Sequence, residues 1–340
     1  MARLGIIGSG IVGLSTALNV QKLLPKTKVT IIADKFGKDT TSHGAAGFFR
    51  PYLHDFVPED QNMTQQWYRD SWHFYSRLAQ SSQADETGQT LVSGLVVYNK
   101  PQDEQYSFLL SLETDFHQVT DSYLKHRNLN YKYGYSFTTV VTQMPKFLAW
   151  LVRKFCSSEG IIQKRTVQKL SDLIGEFDVV VNCSGLRARE LVDDQDSKPV
   201  RGHVVMVSAP WIKHFFLSDD GVYLVPHDNK LIIGGTKELG NYSVTPDSVT
   251  RNTIIQKAVA LFPQLKDARV IDEWVGLRPS RQKLRFEVEC LKDQQNRALH
   301  VLHNYGHGGH GISLGWGSGI AAAKTVQDLI GSNHFQYISK

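Results

Sequence analysis

At 340 residues the chain exceeds the ~250 to 300 at which a single hydrophobic core stops growing, so two domains are expected. Its 41% hydrophobic and 21% charged residues are those of an ordinary soluble globular protein. The net charge of +5 is dispersed without a basic run, which argues against nucleic-acid or membrane-surface binding, and no apolar stretch approaches the ~20 residues of a membrane span.

The first element is an apolar strand, Leu4-Gly5-Ile6-Ile7, begun so close to Met1 that it leaves no room for a signal peptide. Gly8-Ser9-Gly10-Ile11-Val12-Gly13 follows it directly. Leu14, Ala17, Leu18 and Leu24 then recur at helical spacing until Pro25, and Val29-Thr30-Ile31-Ile32 reads as a second strand closed by Asp34. Strand, glycine turn, helix, strand and acid together are the arrangement that binds a dinucleotide. The first glycine allows the tight turn, the second lets backbone N–H groups approach the pyrophosphate, and the third brings helix and strand together. The pyrophosphate lies at the helix N-terminus, where unpaired N–H groups favour an anion. Asp34 suits the ribose hydroxyls and disfavours an extra phosphate there, so NADP is the least expected dinucleotide.

Beyond this unit comes the Gly/Ala-rich stretch Thr40-Thr41-Ser42-His43-Gly44-Ala45-Ala46-Gly47, then a helix over 61–78 with Met63, Trp67, Phe74 and Leu78 on one face. Strand patterns follow at 94–98 and 137–141. Pro145 opens a helix that runs to Gly160. Asp178-Val179-Val180-Val181-Asn182 has the continuous apolar character of a buried parallel strand, closed by Ser184-Gly185. Residues 200–235 are strand-rich, and from Leu299 the order is strand, glycine loop and a helix over 318–330. The return to buried-strand character after a β-rich excursion predicts a dinucleotide domain assembled from separated segments, with a second sheet inserted. Cys156, Cys183 and Cys290 are too widely spaced for a metal cluster and odd in number; they read as free thiols in a reducing compartment, and no metal is expected.

Seven motifs occur in a fixed order: the glycine turn at 8–13; Thr40-Thr41-Ser42 with Ala45-Ala46-Gly47; Val181-Asn182-Cys183-Ser184-Gly185; Val200-Arg201-Gly202; Gly234-Gly235-Thr236; Gly276-Leu277-Arg278-Pro279; and His303-Asn304-Tyr305-Gly306-His307-Gly308-Gly309. Together they resemble the D-amino-acid oxidase and D-aspartate oxidase family of FAD enzymes over essentially the whole chain. Val275 ahead of Gly276, Leu186 after Gly185 and the basic residue after Thr236 are closer to the D-aspartate oxidase branch.

The resemblance implies an α/β fold: a Rossmann-like FAD-binding domain with an interleaved α+β substrate domain built on a large mixed or antiparallel sheet. The FAD domain would comprise 1–55, 142–195 and 275–340, and the substrate domain 56–141 and 196–274. It implies transfer of the α-hydrogen of a D-amino acid as hydride to flavin N5, hydrolysis of the imino acid, and reoxidation by O2 to give H2O2. The D stereochemistry rests on the resemblance alone. No acid–base dyad is required, because the cofactor carries the chemistry.

For the cofactor the resemblance implies Gly8, Ser9, Gly10, Ile11, Val12 and Gly13 at the pyrophosphate, and Asp34, Lys35, Thr40, Thr41 and Ser42 at adenosine and phosphates. Ala45, Ala46 and Gly47 would pass close to the ring. Ser184 and Gly185 would close the crevice, and Gly308, Gly311, Ile312 and Ser313 would face the flavin. For the substrate, Arg278 offers a planar fork for the α-carboxylate, Tyr223 a hydroxyl for the same group, and the Gly309 carbonyl an acceptor for the amino group. Arg281 reads as structural.

Side-chain specificity departs from the family pattern. Vertebrate-type D-aspartate oxidases place arginines before the Tyr223 strand and after the Gly-Gly-Thr turn; here Phe216-Leu217 and Lys237 stand there. Arg50 falls in a slot usually neutral, so Lys237 and Arg50 together are expected to attract the distal carboxylate of D-aspartate or D-glutamate. The alternatives are a D-amino-acid oxidase for neutral substrates, with Lys237 exposed and Arg50 paired to a protein acid, and a non-catalytic flavin-binding protein. Oligomeric state is not readable. Location is peroxisomal by resemblance and otherwise cytoplasmic, since Ile338-Ser339-Lys340 is one residue short of the Ser-Lys-Leu import tripeptide.

Overall fold

The computed structural model describes residues 1–100, 108–112 and 114–338, with side chains through residue 331. Ser339 and Lys340, on which the import-signal reading depends, lie outside the described residues. The N-terminal unit forms as its apolar pattern predicts: β1 (Arg3–Ile7) and β2 (Lys28–Ala33) pair in parallel and are almost wholly buried, with α1 (Ile11–Leu23) crossing between them.

The remaining strands are β3 (Gln89–Tyr98), β4 (His117–Gln118), β5 (Tyr133–Thr142), β6 (Ile161–Lys164), β7 (Val179–Asn182), β8 (Lys198–Ser208), β9 (Phe215–Ser218), β10 (Tyr223–Pro226), β11 (Leu231–Gly234), β12 (Glu238–Leu239), β13 (Arg269–Lys292) and β14 (Ala298–His307). Among the described residues they form one sheet of 14 strands, in the order β4-β5-β3-β9-β10-β11-β8-β13-β14-β7-β1-β2-β6, with β12 on β8. From β14 to β6 every pairing is parallel. Beyond β14 the pairings are antiparallel except β3 with β9. The inserted strands therefore extend the same sheet. The 24-residue β13 joins the two halves, pairing first with β8 and then with β14.

Among the long helices, α2 (Pro58–Ala79) and α3 (Met144–Ser157) lie close to where their patterns place them, whereas α4 (Ser248–Leu261) was not foreseen and starts where the Asp247 carboxylate accepts the Thr250 N–H at 2.7 Å. Pro58 starts α2 ahead of the expected residue 61, with Glu59 and Asp60 in its first turn, where the helix dipole favours acids. Its buried face is wider than the expected stripe, because Tyr68 and Tyr75 are fully buried there as well.

The last helix, α5 (Gly311–Ile338), begins well before the expected residue 318. Its first turns are rich in glycine, which disfavours helix locally, but packing overrides propensity. A Cβ on Gly317 would lie 2.1 Å from the Trp67 carbonyl oxygen in α2, and one on Gly319 would lie 2.8 Å from the Ser15 carbonyl carbon in α1. Helix α5 thus packs backbone to backbone against both α1 and α2, around a core that includes Leu14, Trp67, Tyr75, Phe147 and Leu314. Cys156, Cys183 and Cys290 are all unpaired.

Candidate active site

Four parallel strands end at one crevice. Gly8 follows β1, Asp34 follows β2, Cys183-Ser184 follows β7 and Gly308 follows β14, so the residues read as cofactor-binding gather at the carboxyl ends of the strands, where open α/β sheets bind ligands. The turn there is tightly determined. Gly8 has φ +106°, donates its N–H to Ile32 O at 2.9 Å, and would place a Cβ 2.4 Å from the Cys183 carbonyl oxygen. A Cβ on Gly13 would lie 2.0 Å from the Gly8 carbonyl oxygen, which is the close helix–strand approach the third glycine permits.

Helix α1 is capped by Gly10, which has no side chain to cap it, and its first turn contains no acid. Its N-terminal dipole is therefore available to an anionic group. The Ile11 N–H donates to Ser42 Oγ at 3.1 Å, bringing the 40–47 stretch against this helix end. Ser184 Oγ and His307 Nε2, at the ends of β7 and β14, are shielded from solvent and have no hydrogen-bond partner among the described residues, which leaves polar capacity at the crevice. Burial pushes the His307 imidazole down to about 4, with His310 acting in the same direction, so this ring is neutral at physiological pH. The end of β7 is fixed from behind: His303 sits 3.0 Å from Glu289 and 3.2 Å from Asn182 Nδ2, and Asn182 Oδ1 accepts the Ser184 N–H at 3.2 Å. These features fit a dinucleotide such as FAD.

Several expected cofactor residues also serve the protein itself. The Thr40 hydroxyl donates to Gly37 O at 2.7 Å, a local turn contact, and the Thr41 hydroxyl donates to Leu277 O at 3.1 Å, tying the stretch to β13 beside Arg278. Ser9 Oγ donates to the Lys35 carbonyl, while the Lys35 side chain is exposed. Gly47 has φ +67° and would place a Cβ 1.9 Å from Thr142 O, so its need for glycine arises where the chain crosses the end of β5. Ala46 O accepts from His227 Nε2 at 3.1 Å, Ile312 O from the Tyr75 hydroxyl at 2.9 Å, and Ser313 Oγ from the Arg50 N–H at 3.4 Å.

Across the crevice, Arg278 and Tyr223 meet over a floor of glycines. Arg278 Nη1 donates to Thr236 O at 3.1 Å, and the guanidinium charge acts on the Tyr223 phenol. Burial pushes that phenol up and Arg278 pulls it down. Register explains two motifs that carried no assigned role in the sequence. Gly234 is paired with Tyr223, and a Cβ there would lie 1.8 Å from the Tyr223 ring; a Cβ on Gly202 would lie 2.3 Å from Arg278 Nη2. A Cβ on Gly309 would lie 3.7 Å from Arg278 Cδ, which puts the Gly309 backbone beside the same arginine. Arg281 instead pairs with Asp194 at 2.9 Å and is structural. Substituting Gly202→Ala should displace the tip of Arg278 without altering its chemistry. We expect kcat/KM to fall about tenfold, mainly through KM, with flavin content and Tm unchanged; unchanged kinetics would show that the clamp does not use this position.

Arg50 and Lys237 lie toward the rim. The Arg50 guanidinium donates to the Tyr98 hydroxyl at 2.6 Å and stands 5.2 Å from the Tyr52 ring centroid. Lys237 follows Thr236, whose carbonyl holds Arg278, and its side chain is exposed. Both cations act on Asp55, which sequence reasoning missed. The Asp55 carboxyl is held below its ordinary value: burial pushes it up, and a hydrogen bond from His310 with the charges of His310, Lys237 and Arg50 outweighs that. Asp55 and His310 belong to a short polar loop and a glycine run, where no periodicity or spacing marks them.

The fold and the crevice define a flavin-dependent oxidoreductase, and the chain belongs to the FAD dependent oxidoreductase family, whose model matches residues 3–325. It is a homologue of D-aspartate oxidase from Homo sapiens, 38% identical over 97% of this chain and 96% of that protein. D-aspartate oxidase 1 from Caenorhabditis elegans is 31% identical over 97% of this chain and 98% of its own. The glycine oxidase structure from Geobacillus kaustophilus shares the fold, with a TM-score of 0.76 at 19% identity over 96% of this chain and 95% of that one. Among the described residues, no helix is long and apolar enough to cross a membrane, and no group of three or more His, Cys, Asp or Glu could hold a metal ion.

Proposed function

We propose that the chain oxidises acidic D-amino acids, D-aspartate and D-glutamate, to the 2-oxo acid, ammonia and H2O2. In this reading residues 1–55, 142–195 and 275–340 form the cofactor domain and 56–141 with 196–274 the substrate domain. Arg278 and Tyr223 hold the α-carboxylate, fixing both its position and its rotation, and the Gly309 carbonyl accepts from the amino group. FAD, when bound, supplies the hydride acceptor. The protein then needs only to orient the Cα–H bond and keep the site closed, and no side chain is assigned as a catalytic acid or base. O2 is the second substrate, and a compartment that removes peroxide, the peroxisome, suits the product.

The observation that carries the acidic preference is the similarity to D-aspartate oxidase over nearly the whole chain, and we assign Arg50 and Lys237 to the distal carboxylate. Lys237→Met and Arg50→Leu should each raise KM for D-aspartate roughly tenfold and leave D-alanine within about threefold. Equal losses for both substrates would remove the assignment. The exposure of Lys237 and the bond from Arg50 to Tyr98 favour a second reading, an oxidase of neutral D-amino acids. Under it, kcat/KM for D-alanine would exceed that for D-aspartate in the unmodified enzyme.

A further inference from the structure

The motif Val200-Arg201-Gly202 gives Gly202 to the floor under Arg278 and leaves Arg201 without a role. Side chains alternate along β8, so Gly202 faces Arg278 while Arg201 projects from the other side of the strand. Arg201 is only 3% exposed, and its guanidinium is directed at one segment, the excursion 238–247. Nη1 donates to Glu238 Oε1 at 2.7 Å and Nε to Ser243 O at 3.0 Å, while Nη2 donates to Thr245 O at 2.9 Å and Asp247 Oδ2 at 3.4 Å. Apolar burial does little for this segment, since Leu239, Tyr242 and Val244 are 70%, 52% and 62% exposed. It is secured by the short pairing of β12 with β8, the Gly240 N–H bond to Pro199 O and this buried cation. The segment begins beside the substrate region. Thr236 Oγ1 accepts the His203 N–H at 3.0 Å, and Thr236 O accepts from Arg278 Nη1 at 3.1 Å. Lys237 stands between Thr236 and Glu238, so β8 and Arg201 fix the chain on both sides of it.

We propose that Arg201 is a positioning residue for substrate recognition: from the far side of β8 it holds the excursion whose leading residues, Thr236 and Lys237, set the place of the α-carboxylate clamp and of the distal cation. This rests on the reading of Arg278 and Lys237 as the groups that bind the two carboxylates. The planar guanidinium meets side-chain and carbonyl oxygens in fixed directions, which a lysine ammonium cannot reproduce. Loosening the excursion frees Lys237 directly. Arg278 is freed less, because Thr236 is also bonded to β8 and Arg278 still lies over Gly202. Acidic substrates therefore lose more than neutral ones. A purely structural role would lower stability and leave the carboxylate affinities where they were.

Arg201→Lys keeps the charge and removes the fork. In the holoenzyme we expect it to raise KM about five- to tenfold for D-aspartate and about two- to threefold for D-alanine, with kcat changing less than either. Arg201→Met should shift both further in the same order. Glu238→Ala removes one partly exposed partner and leaves the buried cation its other acceptors, so it reports on the same support where Arg201→Met does not fold. Binding of succinate and propionate to the oxidised enzyme, followed by the perturbation of flavin absorbance, separates affinity from turnover. Succinate should weaken more than propionate in each variant. In a Lys237→Met background the excess loss for succinate should vanish while the loss for propionate persists. A lower Tm with both affinities within about twofold of the unmodified enzyme would overturn the proposal. Equal weakening of succinate and propionate, with Lys237→Met still separating the two, would overturn it as well and leave the underlying reading standing. If Lys237→Met does not separate D-aspartate from D-alanine, the underlying reading falls and this inference with it.

Discussion

Replacing Arg278 by leucine is expected to lower kcat/KM roughly a thousandfold for every amino-acid substrate, acidic or neutral, while the flavin stays bound. The carboxylate would lose two charge-assisted bonds at once, and the Tyr223 phenol would lose its cationic partner. Arg278→Lys restores the charge without the fork, so we expect an intermediate loss of about thirty- to a hundredfold. The size of the effect follows from pre-organisation. Arg278 is held by Thr236 O at 3.1 Å and lies over Gly202, so the unliganded guanidinium already stands near its working position. Leucine leaves that floor empty. Steady-state kinetics with D-aspartate and D-alanine, together with the flavin-to-protein ratio of each variant, check this. A variant that keeps its flavin and loses less than about tenfold would show that the α-carboxylate is held elsewhere.

The second large effect lies at the phosphate turn. Gly13→Val would drive a side chain into the Gly8 carbonyl oxygen, 2.0 Å from the position of its Cβ. Gly8 cannot retreat: its N–H is bonded to Ile32 O, and its own Cβ direction is blocked by Cys183 O at 2.4 Å. Helix α1 must therefore back away from β1, which disturbs both the packing of α1 against α5 and the donors at its N-terminus. We expect a colourless protein, a dissociation constant for FAD raised by about a hundredfold or more, and a lower Tm. Gly10→Ala separates the two consequences. A Cβ there would meet only Ser42 Oγ at 3.1 Å, so the fold should survive while a methyl group stands where the backbone approaches the phosphates. Titration with FAD should show weaker binding in Gly10→Ala at nearly unchanged Tm. Unchanged FAD affinity in both variants would place the pyrophosphate away from this turn.

How far the sequence foretold the molecule varies with the kind of signal. The parallel strands were legible because β1, β2 and β7 are continuous apolar runs with turn residues at their ends, and the glycine turn explains itself through spacing. Helix α5 was read too short because Gly315 and Gly317 read as part of the glycine loop ahead of Ser318. They are there to let α5 approach α1 and α2, a requirement visible only when the partner backbones are in place. The same holds for Gly202 and Gly234, which the sequence presents as motif members and the register reveals as clearance for Arg278 and Tyr223. The sheet was read as two and is one, because nothing in the local pattern of β13 announces that it changes partner from β8 to β14 along its length.

Within the site, Arg278, Tyr223 and Gly309 were visible through the ordered motifs, and the structure brings them together. Thr40, Thr41 and Gly47 were read as cofactor contacts. Their roles within the protein depend on contacts with Gly37, Leu277 and Thr142, two of which are distant in the chain. Asp55 and His310 left no trace in the sequence. Each is an isolated polar residue in a loop, and their importance comes from a pairing across 255 positions.

The central claim, that this is a flavin enzyme oxidising acidic D-amino acids, is tested most directly by mixing the FAD-loaded protein with D-aspartate in the absence of oxygen and following the flavin absorbance. D-aspartate should bleach the flavin in one turnover, D-alanine should do so more slowly, and L-aspartate should leave it yellow; admitting O2 should restore the colour with release of H2O2. A flavin that stays oxidised with D-aspartate, or that is reduced faster by D-alanine or L-aspartate, would contradict the account.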